Sequence, residues 1–248
     1  MKFAAESRTD KEKSYIEELE KYIACSPFSQ VDKMQNFTKY IPRQALTKFL
    51  CKQELFKKIL NIHGSIVEAG VLFGGGIMSW AQLSAIYEPI NYTRRIIGFD
   101  TFEGFPAIAK QDETATSPER HKGGMAVNSY EDLQIAIKLF DQNRPIGHIP
   151  KTELIKGDAR QTIPEYIQKH PYLVVSLLYL DFDLYEPTVV ALENFLPRMP
   201  KGAIIGFDEI NSPSWPGETV ALLEKVGIRE LKIERFYFES YISYAILD

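Results

Sequence analysis

The chain has 248 residues, 45% hydrophobic and 25% charged, close to the averages of a globular protein and enough for one sizeable core. Its 29 basic and 33 acidic residues give a formal charge of −4 with no long run of one sign, so it shows no electrostatic footprint for nucleic acid or an anionic membrane. A small molecule is the expected partner. The two cysteines, Cys25 and Cys51, lie in unrelated segments without metal-ligand spacing and read as reduced structural thiols, which favours the cytoplasm. The segment MKFAAESRTDKEKSYIEELEKY lacks the apolar stretch of a signal peptide, and the longest apolar run, around Leu173 to Leu180, is far short of a membrane span. A soluble protein is expected.

Tyr15, Ile16, Leu19, Tyr22 and Ile23 recur at helical spacing in a charged segment, which predicts an amphipathic helix over about residues 12–24. After a loop through Pro27 to Pro42, a second amphipathic stretch (Leu46, Phe49, Leu50, Phe56, Ile59, Leu60) runs to a stop at His63-Gly64. Residues 1–62 therefore read as a helical extension or lid, and residues 63–248 as the main domain. From Ser65 the pattern alternates. Strand-like IVEAGV, RIIGFD, ELIKGD, VVSLLYLD and AIIGFD are interleaved with helical GIMSWAQLSAIYE, YEDLQIAIKLF, TIPEYIQKH, TVVALENFL and ETVALLEKV. Short apolar strands separated by helices predict a doubly wound α/β fold around a mostly parallel sheet. ELKIERFYF and SYISYAIL follow too closely for a helical crossover and predict an antiparallel hairpin at one edge. The one long polar interruption, Ala107 to Ser129, is of the length that functional loops have.

Chemistry concentrates where strands end, the ligand-binding edge of such sheets. In VEAGVLFGGG, Gly70 permits a turn, and Gly74 to Gly76 let backbone N–H groups approach a ligand at the start of a helix. The spacing is not GxGxxG, which argues against a nicotinamide site. Glu68 suits a cationic group or a hydrogen-bonded structural acid. Asp100 stands where an acid accepts from a ribose diol, or caps the turn TFEGFP. Asp158 suits an adenine amino group or a helix N-cap. Asp181 and Asp183, two apart, would share one face of a continuing strand. Asp208 and Glu209 precede a turn signalled by Asn211, Pro213 and Pro216. Four carboxylates in one cleft call for a cation, and hard oxygen donors favour magnesium, calcium or manganese; solvated strand-end acids are the bland alternative. Of four histidines, only His121 sits in a loop able to deliver an acid or base to the cleft. Trp215 reads as substrate wall or as core.

The ordered set VEAGVLFGG, FDTFEGFP, KGDARQTIP, LYLDFDLYEPT, GAIIGFDE and Trp215-Pro216-Gly217 resembles macrocin-type (TylF-like) O-methyltransferases over residues ~40 to 225. The resemblance implies a class I, Rossmann-like methyltransferase domain with a seven-stranded sheet. It also implies S-adenosylmethionine as cofactor, magnesium or another divalent cation, and a sugar or glycosylated natural product as acceptor. By position it implies Asp183 as general base and Asp181, Asp208 and Glu209 as metal ligands. The S-adenosylmethionine site would comprise Glu68, Ala69, Gly70, Gly74, Asp100, Thr101, Phe102, Gly157, Asp158 and Asp181, with His121, Tyr185 and Trp215 toward the substrate. The chain departs from the family where Leu72-Phe73 replaces a usual Trp-Arg and Asp208-Glu209 a usual Asp-Asp.

Other classes share parts of this pattern. A metal-dependent phosphoesterase would use the same carboxylates, a nicotinamide-dependent oxidoreductase the same fold, and a non-catalytic subunit the N-terminal helix. That helix also makes a homo-oligomer plausible.

Overall fold

The computed structural model describes residues 9–248. Residues 1–8, part of the expected extension 1–62 and of the segment read as lacking a signal sequence, lie outside the described residues. Two compact units are present, one ending at Thr47 and the other running from Lys48 to Asp248. In the first, α1 (Asp10–Cys25) covers the predicted helix. It starts in a capping box: Glu12 N–H donates to Thr9 Oγ1 at 3.3 Å, and Thr9 N–H to Glu12 Oε2 at 2.9 Å. Ser29 caps α2 (Gln30–Gln35) by accepting from Asp32 N–H at 3.1 Å. Lys33 Nζ donates to Ile23 O at 2.8 Å, and the Tyr22 and Tyr40 rings stack at 5.6 Å.

The boundary between the units falls within α3 (Arg43–Lys58). Strands and helices then alternate as the sequence predicts: β1 (Ser65–Ala69), α4 (Gly75–Tyr87), β2 (Ile96–Asp100), α5 (Tyr130–Gln142), β3 (Thr152–Lys156), α6 (Ala159–Lys169), β4 (Val175–Leu180), α7 (Tyr185–Phe195), β5 (Ile204–Phe207) and α8 (Gly217–Lys225). The predicted terminal hairpin is β6 (Ile233–Arg235) with β7 (Ser243–Ile246). The sheet order is β3-β2-β1-β4-β5-β7-β6; the first five strands pair parallel, and β7 inserts antiparallel between β5 and β6. Strand order reverses between β1 and β4, the topological switch point at which open α/β sheets bind ligands.

Alternation along the strands divides the core. Val67, Ala69, Leu178 and Leu180 pack with Ile163 of α6 and Leu192 and Phe195 of α7. On the other face Ile66, Leu177 and Tyr179 pack with Leu55 and Phe56 of α3 and Ile77 and Trp80 of α4. Glu68 must therefore point into this second layer, away from Val67 and Ala69. At the opposite end of the sheet Arg94, buried, donates to the Ile59, Ile62 and Gly64 carbonyls and pairs with Glu88 at 2.8 Å, tying α3, β1 and α4 together. No helix among the described residues is long and apolar enough to cross a membrane.

Candidate active site

A cavity open to solvent lies at the switch point. Gly70, Val71 and Leu72 form one wall, with Asp100 and Thr101 from the end of β2. Gly157 to Arg160, at the start of α6, and Asp181 to Leu184, after β4, form the other. Phe105, Pro106, Ala107 and Met125, from the long loop, complete it.

The glycine turn exists because backbone passes too close for side chains. A Cβ on Gly70 would stand 1.9 Å from the Asp181 carbonyl oxygen, and its φ of +104° lies in the left-handed region. A Cβ on Gly76 would stand 1.7 Å from Glu68 Oε1. Asp100 fastens the turn: its Oδ2 accepts from Val71 and Leu72 N–H, both at 2.8 Å, and its Oδ1 from Phe102 N–H at 2.7 Å. Oδ2 is filled by its two donors, but Oδ1 retains lone-pair capacity, so this structural use and the ribose use are compatible. Asp158 caps α6, accepting from Arg160 N–H at 3.0 Å, and the Arg160 guanidinium holds its carboxyl below the usual range. Arg160 also reaches Glu186 on α7.

Glu68, Ala69, Gly74 and Phe102 do not reach the cavity wall. Glu68 is buried beneath it, paired with Lys52 Nζ at 3.3 Å, and Lys52 is itself held 3.4 Å from the Tyr179 ring centroid and 4.8 Å from that of Trp80. Burial pushes the Glu68 carboxyl up to about 7, against the pull of Lys52, and its Oε2 has no partner among the described residues. Ala69 faces the α6–α7 core, Gly74 backs onto Leu133, and Phe102 is buried with Tyr130 at 5.1 Å.

The carboxylates cluster beside the cavity. Asp181 N–H donates to Ala69 O at 2.8 Å, fixing the end of β4 against β1. Asp183 does not continue the strand: its φ is +64°, a left-handed conformation that Asp tolerates better than most residues. Asp208 accepts from Tyr179 Oη at 2.6 Å and from Lys48 Nζ at 2.9 Å. Burial raises Asp181 and Asp183 well above the usual carboxylate range, reinforced by Asp208 for the first and by Glu209 and Asp208 for the second. Burial and Asp208 likewise push Glu209 up to about 7. Asp208 is the exception, because Lys48, Lys52 and the Tyr179 hydroxyl outweigh its burial and hold it low.

The chemistry of this donor set, carboxylates in mutual repulsion and a buried oxygen, Glu209 Oε2, without a partner among the described residues, is of the kind hard cations use. As they stand, however, no three His, Cys, Asp or Glu side chains among the described residues converge closely enough to hold an ion.

The three expected substrate residues lie elsewhere. His121 is exposed, its Nδ1 3.1 Å from Lys122 O and its Nε2 3.9 Å from Glu119, contacts local to the loop. The Tyr185 hydroxyl donates to Glu224 of α8 at 2.6 Å. Trp215 packs edge-on to Phe105 at 5.3 Å, with Ala115 and Leu184, and so supports the loop segment that lines the cavity. Asp112 anchors the same loop, since its Oδ1 accepts from Tyr185 N–H at 3.0 Å, at the start of α7.

Four residues at or behind this site carry no mark in the motifs. Lys48 and Lys52, four apart on one face of α3, share that face with Cys51 and Leu55; two like charges on an apolar face are the signal that something acidic waits opposite. Tyr179 sits inside an apolar strand. Glu218, buried in the first turn of α8, accepts from Glu209 N–H at 3.4 Å and is raised well above its usual range by burial, Asp208 and Asp183.

The family model described as Macrocin-O-methyltransferase (TylF) matches residues 51–216. The crystal structure of CalS11, calicheamicin methyltransferase, superposes with a TM-score of 0.93 at 32% identity, covering 98% of this chain and 95% of that one. The apo structure of CalS11, described as TDP-rhamnose 3'-O-methyltransferase of calicheamicin biosynthesis, gives a TM-score of 0.84 at 31% identity over 98% and 97%. The 8-demethyl-8-(2,3-dimethoxy-alpha-L-rhamnosyl)-tetracenomycin-C 4'-O-methyltransferase of Streptomyces olivaceus is 30% identical over 153 residues, 60% of this chain and 54% of that enzyme. The chain thus spans about half the length of this curated relative. The fold expected from the sequence, a class I methyltransferase sheet with its antiparallel hairpin, is the one observed.

Proposed function

We propose, since this chain belongs to the macrocin O-methyltransferase family, that it transfers a methyl group from S-adenosylmethionine to a hydroxyl of a sugar or glycosylated natural product, with the help of a divalent cation. The observation that carries this reading is the cavity itself: the turn at Gly70 and the strand-end acid Asp100 form one wall, and Asp183 stands on the other. The sugar acceptors named for CalS11 and for the Streptomyces olivaceus enzyme support the acceptor class.

Gly70 to Leu72, Asp100, Thr101, Gly157 and Asp158 would hold the cofactor along the carboxyl edge of β1, β2 and β3. Glu68, with one carboxylate oxygen unpartnered beneath the glycine turn, supplies negative potential for a sulfonium or ammonium group above it. S-adenosylmethionine, when bound, supplies an electrophilic methyl group, and a divalent cation, when bound by Asp181, Asp208 and Glu209, lowers the pKa of a hydroxyl as it does that of water. Asp183, on the cavity wall, would take the proton. Trp215, Phe105 and Asp112 hold the loop against the cavity, which would help align acceptor and donor; positioning at about 3 Å supplies several kcal/mol.

The direct test is incubation with S-adenosylmethionine and a panel of deoxysugar glycosides and nucleotide-bound deoxysugars, with magnesium or with EDTA, read by mass spectrometry. A product one methyl group heavier, formed with magnesium and lost in EDTA, is expected. Full turnover in EDTA removes the cation from the mechanism, and no methylated product from any sugar overturns the acceptor class.

A further inference from the structure

The lysines opposite the carboxylates are held differently. Lys52 is fixed: its side chain is 6% exposed, paired with Glu68 and seated between the Trp80 and Tyr179 rings. Lys48 is not. Its side chain is 52% exposed although its Nζ lies 2.9 Å from Asp208 Oδ2 and 3.3 Å from Oδ1, and the Asp208 side chain is only 6% exposed. One end of this side chain is in the acidic cluster, and its stem is in water. A long, flexible ammonium can leave such a position without breaking any packing.

Three carboxylates act on that ammonium. Burial works against its charge, but Asp208, Asp181 and Glu209 together hold its pKa above the ordinary lysine range. These are the residues assigned to the divalent cation. A single ammonium does not satisfy them: Glu209 Oε2 remains without a partner among the described residues. Asp208, one of the three acids assigned to the cation, already has an ammonium within hydrogen-bonding distance.

We propose that Lys48 is a placeholder cation: its ammonium occupies Asp208 while the divalent cation is absent, must swing into solvent for Asp208 to become a ligand, and thereby sets a weak, exchangeable metal affinity. The inference rests on the proposed cation site, and it adds that the metal binds in competition with a residue of the protein's own. Opposite charges near a metal site ordinarily help it; here a like charge within hydrogen-bonding distance of a ligand oxygen opposes it.

The test is calorimetric and EPR titration of Mn²⁺ into the full-length protein and its Lys48→Met, Lys48→Gln and Lys48→Arg variants, each also titrated with S-adenosylhomocysteine. Lys48→Met and Lys48→Gln are expected to bind Mn²⁺ at least about tenfold more tightly than the parent, while Lys48→Arg, which keeps the charge, stays as weak. Equal or weaker binding in both neutral variants, or no Mn²⁺ binding by any protein, overturns the placeholder. The S-adenosylhomocysteine titrations separate this from the larger reading: their failure alongside tightened Mn²⁺ binding removes the methyltransferase assignment and leaves Lys48 in place.

Discussion

Gly70 and Asp181 meet back to back across the paired ends of β1 and β4, so close that a single added carbon on Gly70 would lie 1.9 Å from the Asp181 carbonyl oxygen. The contact joins the glycine turn to the first acid of the carboxylate cluster. It makes Gly70→Ala disruptive twice over, through the clash and through a φ of +104° that alanine rarely adopts. Strain of this kind costs about 1–3 kcal/mol before the clash is counted. Thermal unfolding of Gly70→Ala should fall by at least several degrees, with loss of S-adenosylhomocysteine binding; an unchanged melting temperature would show that the two strand ends move apart freely.

Asp183→Asn should isolate the base. Asparagine tolerates the left-handed conformation that Asp183 adopts at φ +64°, so the fold and cofactor binding should survive. Turnover should drop by about 10²–10⁴. A variant with the parental rate removes Asp183 from proton transfer.

The positions of Gly70, Asp100, Asp158, Asp181 and Asp183 were legible because strand periodicity locates strand ends, and strand ends locate the cleft. Glu68 was legible only in part: its strand and its burial follow from the pattern, but alternation with Val67 and Ala69 turns it into the α3–α4 layer, beneath the cavity. The Lys48–Asp208 pair joins residues 160 apart in sequence, and no local pattern encodes such a meeting. Tyr185 and His121 show the converse. The motif position of Tyr185 and the long loop carrying His121 suggested the substrate, yet the Tyr185 hydroxyl turns to Glu224 and His121 stays at the loop surface, because side-chain direction depends on neighbours that local sequence does not contain.

Asp112 should prove to be the loop's anchor. Its carboxylate is buried and accepts from the Tyr185 and Ala109 amides at 3.0 and 3.3 Å. Asp112→Ala leaves those donors unsatisfied, at a cost of about 1–3 kcal/mol. Limited proteolysis should then cut within residues 107–129, and the acceptor KM should rise more than the cofactor KM. Parental resistance to protease would mean that Trp215 and Phe105 hold the loop by themselves.

Lys151 predicts a pH dependence unconnected with catalysis. Burial lowers its pKa from the ordinary 10.5 to about 8, with the charges of Arg144, Arg94 and Arg95 adding to the effect and Glu88 opposing it. Below pH 8 both folded and unfolded chains carry the proton, and the folded state bears the full cost of a buried ammonium. Between 8 and 10.5 the unfolded chain binds more protons, so stability rises with pH, by up to about 3 kcal/mol. Urea denaturation of Lys151→Met across that window should lack this rise; parallel curves for parent and variant would contradict it.

If the cavity at the β1–β4 switch point binds the methyl donor, calorimetric titration with S-adenosylhomocysteine, beside NAD and in magnesium or EDTA, should show it. One-to-one micromolar binding of S-adenosylhomocysteine and none of NAD is expected. Absence of S-adenosylhomocysteine binding under every condition would contradict it.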